Sequence, residues 1–227
     1  IEIYKNIKAG SGIGSSAASS AGAVFGINEL LGRPYTRKEL IQFAMKGEEL
    51  ASGAIHADNV SPALLGGFTL VRCNKEADVI ALPTPSELYA TIIHPKIELR
   101  TADSRSVLKK NIPLSKAIEQ WGNLAALVSG LYTNDYALIS RSLVDVIIEP
   151  ERSPLIPFFN DLKDVALKAG ALGSGISGSG PSIYALSRGE ETAEKVREQM
   201  EKVFQPMNIE FNTYVSKINT EGIKIIE

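Results

Sequence analysis

Residues 9–22, AGSGIGSSAASSAG, constrain this chain more than any other stretch. Glycine stands at 10, 12, 14 and 22, serine at 11, 15, 16, 19 and 20, and Ile13 is the one bulky side chain among them. Glycine accepts positive φ and lets the backbone come close to a ligand. The small residues run on into SSAASSAGAVFGINELL, a helical pattern, so the stretch predicts a glycine loop opening a helix over 15–31. The first N–H groups of a helix lack internal partners and carry the positive end of its dipole, which suits phosphate. A tight turn packed between a helix and a sheet would use the same residues. A second glycine loop, GSGISGSGP over 173–181, favours the phosphate reading. The first loop is not a Walker A motif, because Ser15 follows Gly14 where that motif needs lysine. GSGIGS also lacks the spacing of a dinucleotide fingerprint.

The 227 residues suffice for one large domain or two small ones. Hydrophobic content of 44% and charged content of 22% are those of a globular protein with a packed core. A net charge of −2 gives no general attraction to nucleic acid or to an anionic membrane. No apolar run is long enough to span a bilayer. A single cysteine, Cys73, excludes an internal disulfide and fits a reducing, cytoplasmic setting. Within the apolar run GGFTLVRC it reads as a buried small residue rather than a nucleophile.

Ile1 and Ile3 alternate with Glu2 and Tyr4, which predicts a half-buried strand over 2–7. A strand needs a neighbour, and the chain begins without methionine. A preceding segment is therefore expected.

The helix over 15–31 should bury Ala17, Ala21, Val24, Ile27 and Leu31, and end at Gly32-Arg33-Pro34. Thr36 and Glu39 form a capping box for a second helix reaching about 51. Glu48 lies near the end of that helix, where an acid opposes the dipole. Residues 52–66 read as a loop and 67–73 as a strand. The polar stretch 74–86, with Pro83 and Pro85, is expected to divide domain 1–85 from domain 86–227. Beyond it come a strand over 88–94, helices over 104–110, 114–131, 134–145 and 158–169, and the second glycine loop. A strand over 182–186, a helix over 190–204 and strands over 209–215 and 223–226 complete the chain. The interleaving indicates an α/β or α+β class in two layers.

In the first loop, the N–H groups of Gly14, Ser15, Ser16 and Ala17 could meet a triphosphate. The Ser16 hydroxyl and the Glu48 carboxylate are oxygen donors of the kind Mg²⁺ takes. Taken alone, Arg105 and Arg152 read as surface arginines, and His56 as a hydrogen-bonded structural histidine. His94, before Pro95, has only a structural reading, and Asp58 is a weak candidate for a general base.

GSGIGSSAAS resembles the phosphate-binding motif of the GHMP kinases, and GSGISGSGPS resembles their C-terminal glycine motif. GEELASGAIHADNVSPALLGGFTLV is similar to the homoserine-phosphorylating branch of that family. The resemblance covers nearly the whole chain, and three such stretches in this order are highly specific. Lys8-Ala9 departs from the proline and small residue that many members carry before the loop, and the family's N-terminal motif is absent. The resemblance implies an α+β fold of two domains, the second ferredoxin-like, and ATP and Mg²⁺ as cofactors. It implies that ATP meets Gly10, Ser11, Gly12, Ile13, Gly14, Ser15, Ser16 and Ala17, with Ser16 and Glu48 holding the metal. L-homoserine would meet His56, Asp58, Asn59, Thr101, Arg105, Arg152, Gly178 and Ser179. Ser16, Glu48, Asn59 and Arg105 would act in catalysis. An acid for the substrate ammonium would lie in a preceding segment. A homodimer is compatible with the resemblance. Another small alcohol such as mevalonate, or binding without catalysis, are the competing readings.

Overall fold

The computed structural model describes residues 2–7, 10–52, 56–207 and 209–226. They form two compact units. One comprises Ile1–Ala9, Gly14–Thr84 and Asn219–Glu227, and the other Gly10–Ile13 and Pro85–Ile218.

The first unit is built on three mutually packed helices, α1 (Ser15–Leu30), α2 (Arg37–Ser52) and α3 (Val60–Leu65). Ala17, Ala21 and Phe25 of α1 pack with Leu40, Ile41 and Ala44 of α2 in its core. Small residues on α1 let α2 approach closely. A Cβ on Gly47 would stand 2.7 Å from the Ser20 hydroxyl oxygen. The expected apolar face of α1 holds through Val24, which packs partly buried against that core, and is corrected beyond it. Phe25 and Asn28 turn inward, whereas Ile27 is 49% and Leu31 68% exposed. Asn28 goes inward because its amide closes the turn into α2, donating to the Tyr35 carbonyl (3.0 Å) and accepting from the Tyr35 N–H (3.1 Å). The Thr36–Glu39 capping box forms as expected. The Glu39 carboxylate accepts from the Thr36 N–H at 2.7 Å, and the Thr36 hydroxyl accepts from the Glu39 N–H at 3.3 Å.

α3 occupies part of the region expected to be loop. After it, β1 (Phe68–Cys73) and β2 (Asp78–Leu82) form an antiparallel hairpin, with Phe68 opposite Leu82. The stretch read as a divider thus contains a strand, and Cys73 is half-buried on β1. The expected strands over 2–7 and 223–226 do not form among the described residues. Ile3 and Tyr4 are exposed, and they line, with the outer face of α1 and Ile225, a cavity of about 960 Å³. The C-terminal segment is strapped on through side chains and isolated backbone bonds instead. Arg37 donates to the carbonyls of Glu221 and Ile223, and the Ile223 N–H donates to the Ala63 carbonyl at 2.9 Å.

The second unit holds β3 (Leu88–Pro95), then α4 (Thr101–Ser106), α5 (Leu114–Thr133), α6 (Tyr136–Ser142), α7 (Glu149–Arg152) and α8 (Phe159–Lys168). β4 (Gly173–Ile176), β5 (Ile183–Arg188), α9 (Glu190–Phe204) and β6 (Phe211–Lys217) follow. The four strands make one antiparallel sheet in the order β4-β5-β3-β6. That is the split β-α-β arrangement of ferredoxin-like domains, as expected. α8 and α9 lie together against the sheet, and Leu162, Val196, Met200 and Phe204 are fully buried there. Phe204 stacks on Phe211 with ring centroids 5.7 Å apart. Among the described residues, no helix is long and apolar enough to cross a membrane.

Candidate active site

In the first unit, Gly14 forms the N-cap of α1 at φ +75°, the left-handed conformation that glycine adopts without strain. Gly14 supplies no side-chain cap and the first turn holds no acid, so the opening N–H groups of α1 are left for an anion. The Ser15 hydroxyl is turned away and donates to the Ile7 carbonyl at 2.8 Å. Ser16 follows on the first turn of the helix. Glu48 is buried, at 8% exposure, beside Gly47, where α2 meets α1 at Ser20. Ser20 lies one helical turn beyond Ser16. Glu49, one residue on, is exposed. Asn59 stands beside the loop, its side-chain oxygen 3.4 Å from where a Gly14 Cβ would be. Asp58 is exposed and accepts from the Asn59 N–H at 3.1 Å, while His56 is half-buried.

In the second unit, residues 10–13 are held against the second glycine loop. The Ser177 hydroxyl donates to the Gly12 carbonyl (2.8 Å), and the Ser182 hydroxyl to the Ser11 carbonyl (2.5 Å). Gly10 and Gly12 both have positive φ, +75° and +76°. A Cβ on Gly12 would lie 2.6 Å from the Gly180 carbonyl oxygen, so only glycine fits. His94 is buried with Nδ1 at 3.1 Å from the Ser182 hydroxyl, in agreement with its structural reading. Ser177 and Ser182 escaped the sequence reading because serines in a glycine-rich run do not show which of them cross-links it.

Of the expected substrate residues, Thr101, Arg105 and Arg152 converge on Gly178 and Ser179 of this loop. The Thr101 and Ser179 hydroxyls are 3.4 Å apart, and the Ser104 hydroxyl donates to the Ser179 carbonyl at 2.7 Å. Arg152 reaches in from α7, donating Nε to the Ser104 carbonyl and Nη1 to the Gly178 carbonyl, each at 3.0 Å. Burial, and then the nearby Arg105 charge, hold the Arg152 guanidinium below its ordinary value, while Asp145 acts in the opposite direction. Two cations so placed are relieved by an incoming anion. No signal in the sequence singles out Ser104, the buried hydroxyl that secures Ser179.

Among the described residues, no cluster of three or more His, Cys, Asp or Glu could hold a metal ion by itself. One carboxylate and one hydroxyl remain a fitting set for Mg²⁺, which is commonly bound by one or two carboxylates together with substrate phosphates.

Residues 1–67 match the family described as GHMP kinases N terminal domain, and residues 123–205 match GHMP kinases C terminal. The homoserine kinase of Chlorobium phaeobacteroides (strain BS1) is 51% identical, over 100% of this chain and 71% of its own. That of Methanocella arvoryzae is 39% identical, over 100% of this chain and 73% of its own. The crystal structure of homoserine kinase from Cytophaga hutchinsonii superposes with a TM-score of 0.95 at 55% identity, covering 98% of this chain and 70% of that one. A mevalonate kinase from L. major shares the fold alone, with a TM-score of 0.70 at 14% identity, covering 90% of this chain and 66% of that one. With both domain matches in order and relatives of this similarity along its whole length, the chain belongs to the GHMP kinase family.

Proposed function

We propose that the protein transfers the γ-phosphoryl group of ATP to the hydroxyl of L-homoserine, giving O-phospho-L-homoserine and ADP on the route to threonine. The curated relatives named homoserine kinase support the substrate. The observation that carries it on this chain is the placement of Arg152 on the Ser104 and Gly178 carbonyls, beside the Thr101 and Ser179 hydroxyls and near the Arg105 charge. Guanidinium groups suit a carboxylate, which homoserine offers at the end opposite its hydroxyl. The N–H groups opening α1, with Gly10–Ile13, are assigned to the ATP phosphates. Ser16 and Glu48 would hold Mg²⁺, which supplies charge neutralisation at the phosphate oxygens when bound. Asn59 faces the amino acid, with His56 and Asp58 nearby in sequence, and Gly178 and Ser179 line the carboxylate end. Phosphoryl transfer rests mainly on positioning and charge stabilisation, so the reading does not depend on a strong base. The hydroxyl oxygen forms the new bond to phosphorus, the bond to ADP breaks, and the hydroxyl proton is released.

Arg152→Ala or Arg105→Ala should raise the homoserine KM far more than the ATP KM. Loss of a charge-assisted hydrogen bond costs about 1.5–3 kcal/mol, roughly a 10- to 150-fold rise. Steady-state kinetics with each substrate varied in turn reads the effect. Unchanged homoserine KM in both variants, or a rise confined to ATP, would contradict the assignment.

A further inference from the structure

Arg152 ends a helix of one turn, α7 (Glu149–Arg152). So short a helix has no stability of its own, and the direction of Arg152 depends on what holds the turn and what competes for its charge. Upstream, the Asp145 carboxylate accepts from the N–H groups of Ile147 (2.9 Å) and Ile148 (2.8 Å), which fixes the entry to the turn. Glu149 stands three residues before Arg152, a spacing at which glutamate and arginine pair on a helix. Both residues line the same cavity of about 170 Å³, together with Asp145 and Tyr184. Nothing in sequence spacing keeps Glu149 from taking Arg152 away from its carbonyl partners.

The structure shows Glu149 engaged elsewhere. It forms an ion pair with Lys163 of α8, and the two side chains are only 14% and 21% exposed. Lys163 also lies over the Phe159 ring, 5.8 Å from its centroid. Glu149 Oε2 and the Tyr184 hydroxyl both stand 3.1 Å from where a Gly175 Cβ would be, so glycine there leaves room for the carboxylate. Burial raises the Glu149 carboxyl above its ordinary value and the Lys163 bond opposes that. Without Lys163 the half-buried carboxylate is left uncompensated, and Arg152 is a cation that lines the same cavity.

We propose that Lys163 is a positioning residue for substrate binding: by occupying Glu149 it leaves Arg152 free to face Ser104, Gly178 and the substrate carboxylate. The inference rests on the assignment of Arg152 to that carboxylate, and goes beyond it by naming the group that controls the arginine.

The test is a double-variant cycle on the full-length gene product, with homoserine and ATP varied separately. Lys163→Met should raise the homoserine KM about tenfold, with kcat and ATP KM within about twofold of the parent. Glu149→Gln alone should leave the homoserine KM within about twofold, because an amide does not capture Arg152. Glu149→Gln combined with Lys163→Met should return KM to that level, and Lys163→Arg should keep it. Should Lys163→Met not fold, Lys163→Gln carries the same expectation. A role confined to stability predicts the reverse, with the double variant at least as impaired as either single one. That result, or a Lys163→Met KM equal to the parent while Arg152→Ala raises it, overturns the proposal. Arg152→Ala with an unchanged homoserine KM would overturn the underlying assignment instead.

Discussion

Gly12→Ala should cripple ATP use and lower the melting temperature far more than Gly10→Ala, which should cost only its backbone strain. Both glycines have positive φ, +75° and +76°, so each alanine bears a backbone strain of about 1–2 kcal/mol. Their surroundings differ. An added Cβ at Gly10 meets nothing within 4 Å, while at Gly12 it would lie 2.6 Å from the Gly180 oxygen and 2.7 Å from the Ser177 oxygen. Both neighbours are backbone atoms, so no rotamer change relieves the overlap. One loop must move, and the bonds from Ser177 to Gly12 and from Ser182 to Ser11 lengthen or break with it. Two hydrogen bonds at about 0.5–1.5 kcal/mol each, added to the strain, give a loss of about 2–5 kcal/mol. Thermal melts and ATP titrations of the two variants read the difference. Equal behaviour of Gly12→Ala and Gly10→Ala would contradict the close apposition of the loops.

The second large effect is expected at Glu48. Its carboxylate is buried beside Gly47, while Glu49 points to solvent. Glu48→Gln keeps the shape and removes the charge proposed to hold Mg²⁺. Loss of one preorganised electrostatic group in an active site costs on the order of 10²–10³ in kcat. Glu49→Gln, at an exposed position, should change kcat less than about threefold. A Mg²⁺ titration of turnover should move to higher concentration for Glu48→Gln only. Equal kcat losses in the two variants would contradict the assignment.

Much of this was legible in the sequence because the signals were local. The capping box at Thr36 and Glu39, the helix Glu190–Phe204 and the positive-φ glycines of the first loop each declare themselves within a few residues. The failures came where distant residues decide. β2 was hidden because Pro83 and Pro85 and the polar residues before Asp78 suggest a linker, and only its pairing with β1 makes it a strand. β4 was read as loop because of its glycines. Gly173 is required there because the Leu143 side chain occupies the space a Cβ would need. Ile3 and the residues at 223–226 carry strand-like patterns, but they have no strand pairing among the described residues. The arginine cluster was legible only through family resemblance, since Arg105 and Arg152 are brought together by the turn at α7 and the Ser104 and Gly178 carbonyls. Lys163 had no signal at all, standing fourteen residues from its partner Glu149 on a different helix.

The central claim is phosphoryl transfer to homoserine. Its most direct test incubates the purified full-length gene product with ATP and Mg²⁺, and with either L-homoserine or mevalonate, following ADP release and the phosphorus NMR spectrum. The account predicts ADP release that depends on homoserine, with an equal amount of a phosphate monoester on the homoserine hydroxyl and none on mevalonate. Turnover with mevalonate but not homoserine, or binding of ATP and homoserine without any phosphate monoester, would contradict it.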